Sequence, residues 1–202
     1  MKTLLFLSLS FFGFCFLSHA QGRDTVLLST CNTANEVTTL TPDEKQIILL
    51  LNFVRTHPDE FLKQYLPDAA DKLHEQSSAE YRSLERELRK MKPVGLLLPD
   101  EILRKAATLH AQDMGRTGRT GHTSSKGKNF ETRLGTSYTD MAENCDYGYS
   151  NPILIVCHLL IDKDVSGLGH RKNILNPVYK KIGVSIQPHK KFGMNCVMDM
   201  AD

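Results

Sequence analysis

The sequence predicts an α+β domain, because helical patterns fill its front part and two strand-like runs close it. With 202 residues, the chain has the length of one domain with extensions. Its composition, 41% hydrophobic and 24% charged, is that of a globular protein with a sizeable core. The formal net charge is only +2 and both signs are interspersed, which argues against a nucleic-acid partner.

Residues 1–20 have the pattern of a signal peptide. Lys2 precedes a near-continuous apolar run from Leu4 to Leu17, and Ser18-His19-Ala20 places small residues before a predicted cleavage after Ala20. The run is shorter than the ~20 residues that a membrane span needs, although an uncleaved anchor stays open. We therefore expect a secreted or extracytoplasmic protein without a transmembrane span in its mature form, with an N-terminal arm over 21–40 and one domain over 41–202.

One helix-start signal recurs three times along the front part of the chain. Proline at the first helical position and acidic residues in the first turn both favour a helix start. The signal predicts three helices, which begin at Pro42, Pro58 and Pro99. The second of these is expected to run through Leu66, and Thr41 is expected to form a capping box at the start of the first.

The remaining elements follow from capping and periodicity. Ser77 and Glu80 predict a capping box before a charged, peripheral helix over 78–91. A short helix and a buried helix are predicted next, and strand patterns follow. The predicted ranges are Asn129–Leu134 and Pro152 to about Asp162 for the helices, and Met141–Tyr149, Ile182–Ile186 and Asn195–Met200 for the strands. The last two strands predict an antiparallel hairpin.

Three short segments carry the residues best suited to chemistry. His122 follows Gly121, Glu143 lies between Ala142 and Asn144, and His170 follows Gly169. Imidazole and carboxylate groups bind metals, move protons or anchor ligands. Each residue alone is typical of a surface position, but the three together indicate a polar pocket. His110 lies on the apolar face of its helix and His158 lies in the predicted buried helix, so both are instead predicted to be hydrogen-bonded core histidines.

Four cysteines would remain after removal of the signal peptide: Cys31, Cys145, Cys157 and Cys196. In an exported chain they could form two disulfides in three connectivities. Their wide spacing lacks a CxxC motif, and Cys157 lies in an apolar run that is typical of a buried free thiol. The sequence therefore leaves both the presence and the pairing of disulfides open.

The chain resembles the CAP superfamily, which comprises cysteine-rich secretory proteins, antigen 5 and pathogenesis-related 1 proteins and has an SCP-like domain. It is most similar to the bacterial members, from about Pro42 to Met200. The motifs that carry the resemblance are Leu109-His110-Ala111-Gln112-Asp113-Met114, Gly121-His122-Thr123, Met141-Ala142-Glu143-Asn144, Gly169-His170-Arg171-Lys172-Asn173-Ile174-Leu175 and Lys181-Ile182-Gly183-Val184. The resemblance implies an α-β-α sandwich with a small antiparallel sheet between helices.

The resemblance also implies a central cavity that is lined by two histidines and two acidic residues, which in several members binds zinc. His122, Glu143 and His170 match three of these positions. The fourth, a glutamate in the family, has no direct match, so Asp162 is the first substitute and Asp164 the second. The family's C-terminal cysteine signature is absent, and its disulfide set is therefore not transferred.

Many relatives in this superfamily bind sterols, lipids or proteins. The resemblance therefore implies a secreted protein that binds a lipid, sterol, peptide or partner protein, with zinc as the cofactor of its cavity. The alternative is a zinc-dependent hydrolase that uses Glu143 as its catalytic group. A third interpretation treats the cluster as a buried hydrogen-bond network that holds loops together.

Overall fold

In the computed structural model, which describes residues 27–202, helices lie on both faces of a four-stranded sheet. The predicted signal peptide and residues 21–26 of the predicted arm lie outside the described residues. Residues 27–31 are helical and precede α1. The elements that follow are α1 (Pro42–Thr56), α2 (Pro58–Gln64), α3 (Leu66–Lys72), α4 (Ala79–Leu88), β1 (Leu98–Pro99), α5 (Glu101–Thr117), α6 (Phe130–Leu134), β2 (Met141–Tyr147), α7 (Pro152–Ile161), α8 (Gly169–Leu175), β3 (Lys181–His189) and β4 (Gly193–Ala201).

The sheet has the strand order β1-β3-β4-β2. β3 and β4 form the predicted antiparallel hairpin, β2 adds to the other side of β4 in antiparallel orientation, and the short β1 pairs in parallel with β3. The predicted α+β sandwich is therefore confirmed. β2 is an edge strand, and its side chains alternate between the two faces of the sheet, on both of which helices lie.

The start of α1 shows the predicted capping box. Thr41 Oγ1 accepts a hydrogen bond from the backbone of Glu44, whose carboxylate accepts one from the Thr41 backbone in return. The second carboxylate oxygen of Glu44 accepts from the backbone N–H of Ile186 in β3 at 2.9 Å. The cap therefore also fixes α1 against the sheet.

The predicted start of α5 at Pro99 is wrong. Leu98 and Pro99 are held in β1, where they pair with Lys181 and Ile182 of β3. Asp100 is consequently the N-cap, and its side chain accepts hydrogen bonds from the first turn. The pairing with a distant strand moves the helix start by two residues.

Two other helix boundaries also differ from the prediction. The helix that begins at Pro58 ends at Gln64, and a separate helix starts at Leu66 with Pro67 in its first turn, because proline is tolerated there but not in a helix interior. The side chain that caps α4 belongs to Ser78 rather than Ser77, and it accepts from the Tyr81 backbone. An N-cap residue has an extended backbone conformation, and this conformation identifies Ser78 as the cap.

The helices pack on the sheet in two different ways. On one face, α5 approaches β3 so closely that a Cβ atom on Gly183 would lie 2.1 Å from the backbone of Leu103. On the other face lies the larger apolar core, to which α1 and α7 contribute Ile47, Leu51, Ile155 and Val156. The described cysteines Cys31, Cys145, Cys157 and Cys196 are all buried free thiols. Among the described residues, none of the helices is long and apolar enough to cross a membrane.

Candidate functional site

The edge strand β2 carries the polar residues of the candidate site. Side chains of a strand alternate between the two faces of a sheet, so Glu143 and Asn144 point to opposite sides. Glu143 contacts His122 and Arg133 near α5, whereas Asn144 bonds the backbone of His170 in α8. The four predicted site residues consequently form two pairs, which contact β2 from its two sides.

The first pair joins His122 to Glu143. α5 ends at Gly118, which adopts the left-handed conformation with a φ of 72°. The loop that follows carries His122, whose Nδ1 donates to Glu143 Oε1 at 2.9 Å. Arg133 of α6 donates to the other carboxylate oxygen at 2.5 Å and also bonds the backbone oxygen of His122. Glu143 is thus held from both sides although it is only 6% exposed.

Two further residues complete the surroundings of Glu143. His110 is 1% exposed, as predicted for a core histidine, and its Nε2 donates to the Gly121 carbonyl oxygen at 2.9 Å. The same nitrogen lies 3.8 Å from Glu143 Oε1. Cys145, two residues along β2, places its Sγ 3.8 Å from Nδ1 of His122. Ligand atoms of His110, Glu143 and Cys145 all lie within 4.8 Å of one another.

A second carboxyl group faces Glu143 across the sheet. Asp199 of β4 is directly opposite Glu143, is fully buried, and neither of its carboxyl oxygens has a hydrogen-bond partner among the described residues. Burial and the negative charge of Glu143 raise the pKa of Asp199 well above its usual range. Two buried carboxyl groups this close cannot both ionise cheaply, so Asp199 carries the proton.

The charges around Glu143 keep it ionised. Burial favours a raised pKa for Glu143, but the hydrogen bond from His122 and the positive charge of Arg133 outweigh it, so the pKa is lowered. Burial lowers the pKa of His110, which is therefore a neutral imidazole at pH 7. Burial also raises the pKa of Cys145 well above its usual range, and the side chain stays a thiol. The cluster thus combines one carboxylate, one neutral imidazole and one thiol.

We expect Asp199→Asn to raise the free energy of unfolding of the metal-free protein at pH 7. Because the folded-state pKa of Asp199 is raised, the folded protein binds more protons than the unfolded chain, and stability falls as the pH rises through that pKa. Asparagine has no such proton to lose. Urea unfolding between pH 4 and pH 8 measures both effects.

The exposed Asp71 supplies the control for this prediction, since Asp71→Asn changes the same charge without burial. We expect it to leave the free energy of unfolding within about 0.5 kcal/mol. If Asp199→Asn destabilises the protein at pH 7, or if it leaves the pH dependence unchanged, Asp199 is not a protonated buried carboxyl group.

The second pair joins His170 to Asp162 on the other side of β2. Asp162 ends α7 in the left-handed conformation with a φ of 59°, and its Oδ1 accepts from His170 Nδ1 at 2.7 Å. Its Oδ2 accepts from the backbone N–H groups of His170 and Arg171, which open α8. The shorter side chain of aspartate therefore reaches His170. Asp164, the second substitute, is exposed.

The prediction that His158 is a core histidine is wrong. Its side chain is 41% exposed, and its Nδ1 donates to the buried carboxylate of Asp146 at 2.5 Å. That hydrogen bond raises the pKa of His158. The helix α7 is apolar nearly all round, but His158 lies on the side that faces β2 and solvent. Together with Asp162 and His170, the His158–Asp146 pair lines a cavity of about 140 Å³.

Sequence reasoning did not assign Arg133, Cys145 and Asp199 to the site. For Cys145 a signal was present, since it follows Glu143 by two residues in a predicted strand and must share its face. For Asp199, an acidic residue inside an otherwise apolar strand was a weaker signal. Nothing in the sequence placed Arg133 beside Glu143, because α6 reaches the strand only through the fold of the preceding loop.

Comparisons with known proteins agree with this architecture. The family model of the cysteine-rich secretory protein family, CAP, matches residues 81–200. YkwD of Bacillus subtilis (strain 168) is 33% identical over 114 residues, which make up 55% of this chain and 41% of that protein. The chain therefore spans less than half the length of this curated relative.

A solved structure of low sequence identity shows the same fold. Venom allergen-like protein 4 of Schistosoma mansoni superposes with a TM-score of 0.50 and 12% identity, over 80% of this chain and 89% of that one. An extracellular protein containing a SCP domain from Bacillus anthracis str. Ames superposes with a TM-score of 0.47 and 18% sequence identity, over 70% of this chain and 43% of that one. Because the family model covers more than half of the sequence, this chain belongs to the cysteine-rich secretory protein (CAP) family.

Proposed function

We propose that this protein is a secreted ligand-binding domain in which the cluster around Glu143 holds a divalent metal ion. The observation that carries the metal is the convergence of His110, Glu143 and Cys145, whose ligand atoms lie within 4.8 Å of one another in a buried position. The signal-peptide pattern of residues 1–20 and the secretory character of the family support export. The ligand classes to be considered are a lipid, sterol, peptide or partner protein.

The donor set fits zinc. Imidazole nitrogen, carboxylate oxygen and thiolate sulfur are the ligands that Zn²⁺ takes in proteins. Ligation through His110 Nε2, the nitrogen that lies 3.8 Å from Glu143 Oε1, would replace its hydrogen bond to the Gly121 carbonyl oxygen and move the ring proton to Nδ1, which is buried and has no hydrogen-bond partner among the described residues. Cys145 would lose its proton on binding, since the thiolate is the ligand. Bound zinc would supply a positive charge and a coordination position for an oxygen atom of the molecule that the protein binds.

Binding is favoured over hydrolysis by the state of Glu143. A general base needs a free carboxylate with a pKa near the working pH. Both oxygens of Glu143 are engaged, one by His122 and one by Arg133, and its pKa is lowered. Cys145 is a buried thiol with a raised pKa, which makes it a poor nucleophile. The arrangement therefore supports a binding site, in which Glu143 is a fixed carboxylate, over a hydrolytic site.

The pair of His170 and Asp162 is the second candidate for metal ligation. His170 donates a hydrogen bond from Nδ1 to the Asp162 carboxylate, and such a bond orients a metal-binding histidine and leaves its Nε2 for the metal. We assign the metal to the Glu143 cluster because three donor types converge there. The two assignments predict that different variants lose zinc affinity, so one experiment distinguishes them.

We expect the EDTA-stripped protein to take up about one Zn²⁺ per chain in isothermal titration calorimetry. His110→Ala and Cys145→Ser should each weaken the affinity about tenfold or more, because each removes a ligand. His170→Ala, on the other side of β2, is the matched control and should bind like the unaltered protein. Loss of binding in His170→Ala alone would move the metal to the pair with Asp162, and unchanged uptake in all three variants would overturn the metal site.

A further inference from the structure

A short segment between α5 and α6 lies directly against the three proposed zinc ligands. It comprises residues 120–124, and we call it the α5–α6 flap. Both of its ends are anchored to other parts of the protein. Before it, the Arg119 carbonyl oxygen accepts a hydrogen bond from His189 Nε2 at 2.8 Å. After it, Ser125 donates two hydrogen bonds to the carboxylate of Asp113, each at 2.6 Å. A movement of this segment is therefore confined to the flap itself.

The flap contacts each of the three ligand side chains. The Gly121 carbonyl oxygen accepts a hydrogen bond from His110 Nε2 at 2.9 Å and lies 4.0 Å from Cys145 Sγ. His122 Nδ1 donates to Glu143 Oε1 at 2.9 Å and lies 3.8 Å from the same sulfur atom. Two neighbouring residues of the flap thus engage an imidazole, a carboxylate and a thiol at once.

The flap also lies between these ligands and solvent. The His122 side chain is 52% exposed, whereas the side chains of His110 and Glu143 are 0% and 1% exposed. Cys145 is buried as well. The flap is consequently the outer wall of the cluster on this side.

A bound ion and the docked flap compete for the same space. The lone pair that His110 Nε2 would give to zinc points where its N–H now points, toward the Gly121 oxygen 2.9 Å away. Zinc lies about 2.0–2.1 Å from a ligating nitrogen, so along a straight hydrogen bond it would come within roughly 1 Å of that oxygen. Even a direct bond between zinc and oxygen measures about 2.0–2.2 Å. Ligation by His110 therefore requires Gly121 to move.

Only a few contacts hold the flap in its docked position. Besides the bonds to the ligands, the Gly121 N–H donates to the Tyr147 hydroxyl at 2.9 Å, and Arg133 donates to the His122 carbonyl oxygen at 3.2 Å. None of the five flap residues is buried. A segment that buries no side chain and is held by a few hydrogen bonds opens at a low cost in free energy.

We propose that the α5–α6 flap is a metal-operated switch, which docks on His110, Glu143 and Cys145 when zinc is absent and is released when these residues ligate zinc. The inference rests on the metal site proposed above and adds a conformational change to it. Because docking and ligation exclude each other, every contact that favours the docked flap lowers the apparent affinity for zinc, and zinc in turn exposes the flap. His122 competes with the ion for Glu143 and is not itself a ligand.

Two variants that weaken docking test the switch, and neither removes a ligand. Gly121→Ala strains the docked backbone, since Gly121 has a φ of 96° and a Cβ atom there would meet no atom within 4 Å. His122→Ala removes the hydrogen bond to Glu143. In calorimetry of the EDTA-stripped protein, we expect each variant to raise the affinity for zinc about fivefold or more.

Gly167→Ala is the matched control for Gly121→Ala. Gly167 also has a positive φ, of 79°, and open surroundings, but it lies in the loop before α8. We expect its zinc affinity to equal that of the unaltered protein. A lower zinc affinity in His122→Ala would identify His122 as a ligand and would overturn the switch.

Hydrogen exchange followed by mass spectrometry gives a second readout. We expect zinc to speed the exchange of a peptide that covers residues 118–124, because the Gly121 N–H loses the Tyr147 hydroxyl as its partner. In Cys145→Ser, the same zinc concentration should leave this exchange rate nearly unchanged. Slower exchange with zinc in the unaltered protein would mean that the flap closes on the ion, which contradicts the proposal.

Failure of the switch is distinguishable from failure of the metal site. If the unaltered protein takes up about one Zn²⁺ and Gly121→Ala and His122→Ala bind it with the same affinity, the metal site stands and the switch is overturned. If neither the unaltered protein nor these variants take up zinc, the metal site is overturned and the switch with it.

Discussion

Replacing Arg55 with methionine is expected to destabilise the protein by about 4 kcal/mol or more. The guanidinium group is fully buried and donates four hydrogen bonds to backbone carbonyl oxygens, of Gly95, Ile174, Asn176 and Tyr179, at 2.6–2.9 Å. Each buried carbonyl oxygen left without a donor costs about 1–3 kcal/mol. A typical domain has a stability of only about 5–15 kcal/mol, so the variant should be close to unfolding at 37 °C.

The role of Arg55 explains why this loss is so large. It lies at the end of α1 and joins the segment before β1 to the chain that leaves α8, two regions about 80 residues apart in sequence. Its burial without a carboxylate partner lowers its pKa to about 10, which still leaves it charged at neutral pH. Methionine has a similar apolar volume and cannot donate to any of the four oxygens.

Urea unfolding followed by circular dichroism measures this effect. Arg86→Met in α4 is the control, because Arg86 is exposed and should change the free energy of unfolding by less than about 0.5 kcal/mol. A loss below about 1 kcal/mol in Arg55→Met would show that the four carbonyl oxygens find other donors.

Gly183→Ala is expected to cost about 3 kcal/mol or more, although it adds only one methyl group. The new Cβ would lie 2.1 Å from backbone atoms of both Leu103 and Arg104, and a backbone cannot yield as a flexible side chain can. α5 must therefore move away from β3, which would also disturb the nearby position of His110. Far-ultraviolet circular dichroism during thermal unfolding measures the loss of stability, and zinc uptake in calorimetry measures the disturbance of His110.

Gly95→Ala is the matched control for Gly183→Ala. A Cβ atom at Gly95 would meet no atom within 4 Å, and its φ is not in the left-handed region. We expect it to change stability by less than about 1 kcal/mol. Similar losses in the two variants would mean that glycine flexibility, rather than the close approach of α5, is what the fold requires.

Local signals in the sequence predicted most element starts, because capping and proline preferences depend on only a few neighbouring residues. The capping box at Thr41 is an example. Prediction was wrong where a distant strand intervened, as at Pro99, which β3 holds in the sheet. It was also wrong where two serines competed for one cap, because only the backbone conformation distinguishes Ser78 from Ser77.

The candidate site was predictable in its residue types but not in its grouping. His122, Glu143 and His170 were recognisable from their motifs, and family membership is confirmed by the model match. Their division into two pairs depends on the alternation of β2 and on contacts with Arg133 and Asp162, which come from other elements. The protonation of Asp199 depends on its burial and on the negative charge of Glu143 opposite it, and a local sequence pattern predicts neither.

The four free thiols have a consequence for how this protein matures. Since Cys31, Cys145, Cys157 and Cys196 are all buried and unlinked, no disulfide joins any two of the residues that the structure describes. Folding of this part of the chain therefore requires neither an oxidant nor a disulfide isomerase, and a reducing environment leaves its native structure intact. Burial raises the pKa of Cys157 and Cys196, which slows their oxidation once the chain has folded. The native structure itself thus protects these thiols from oxidants.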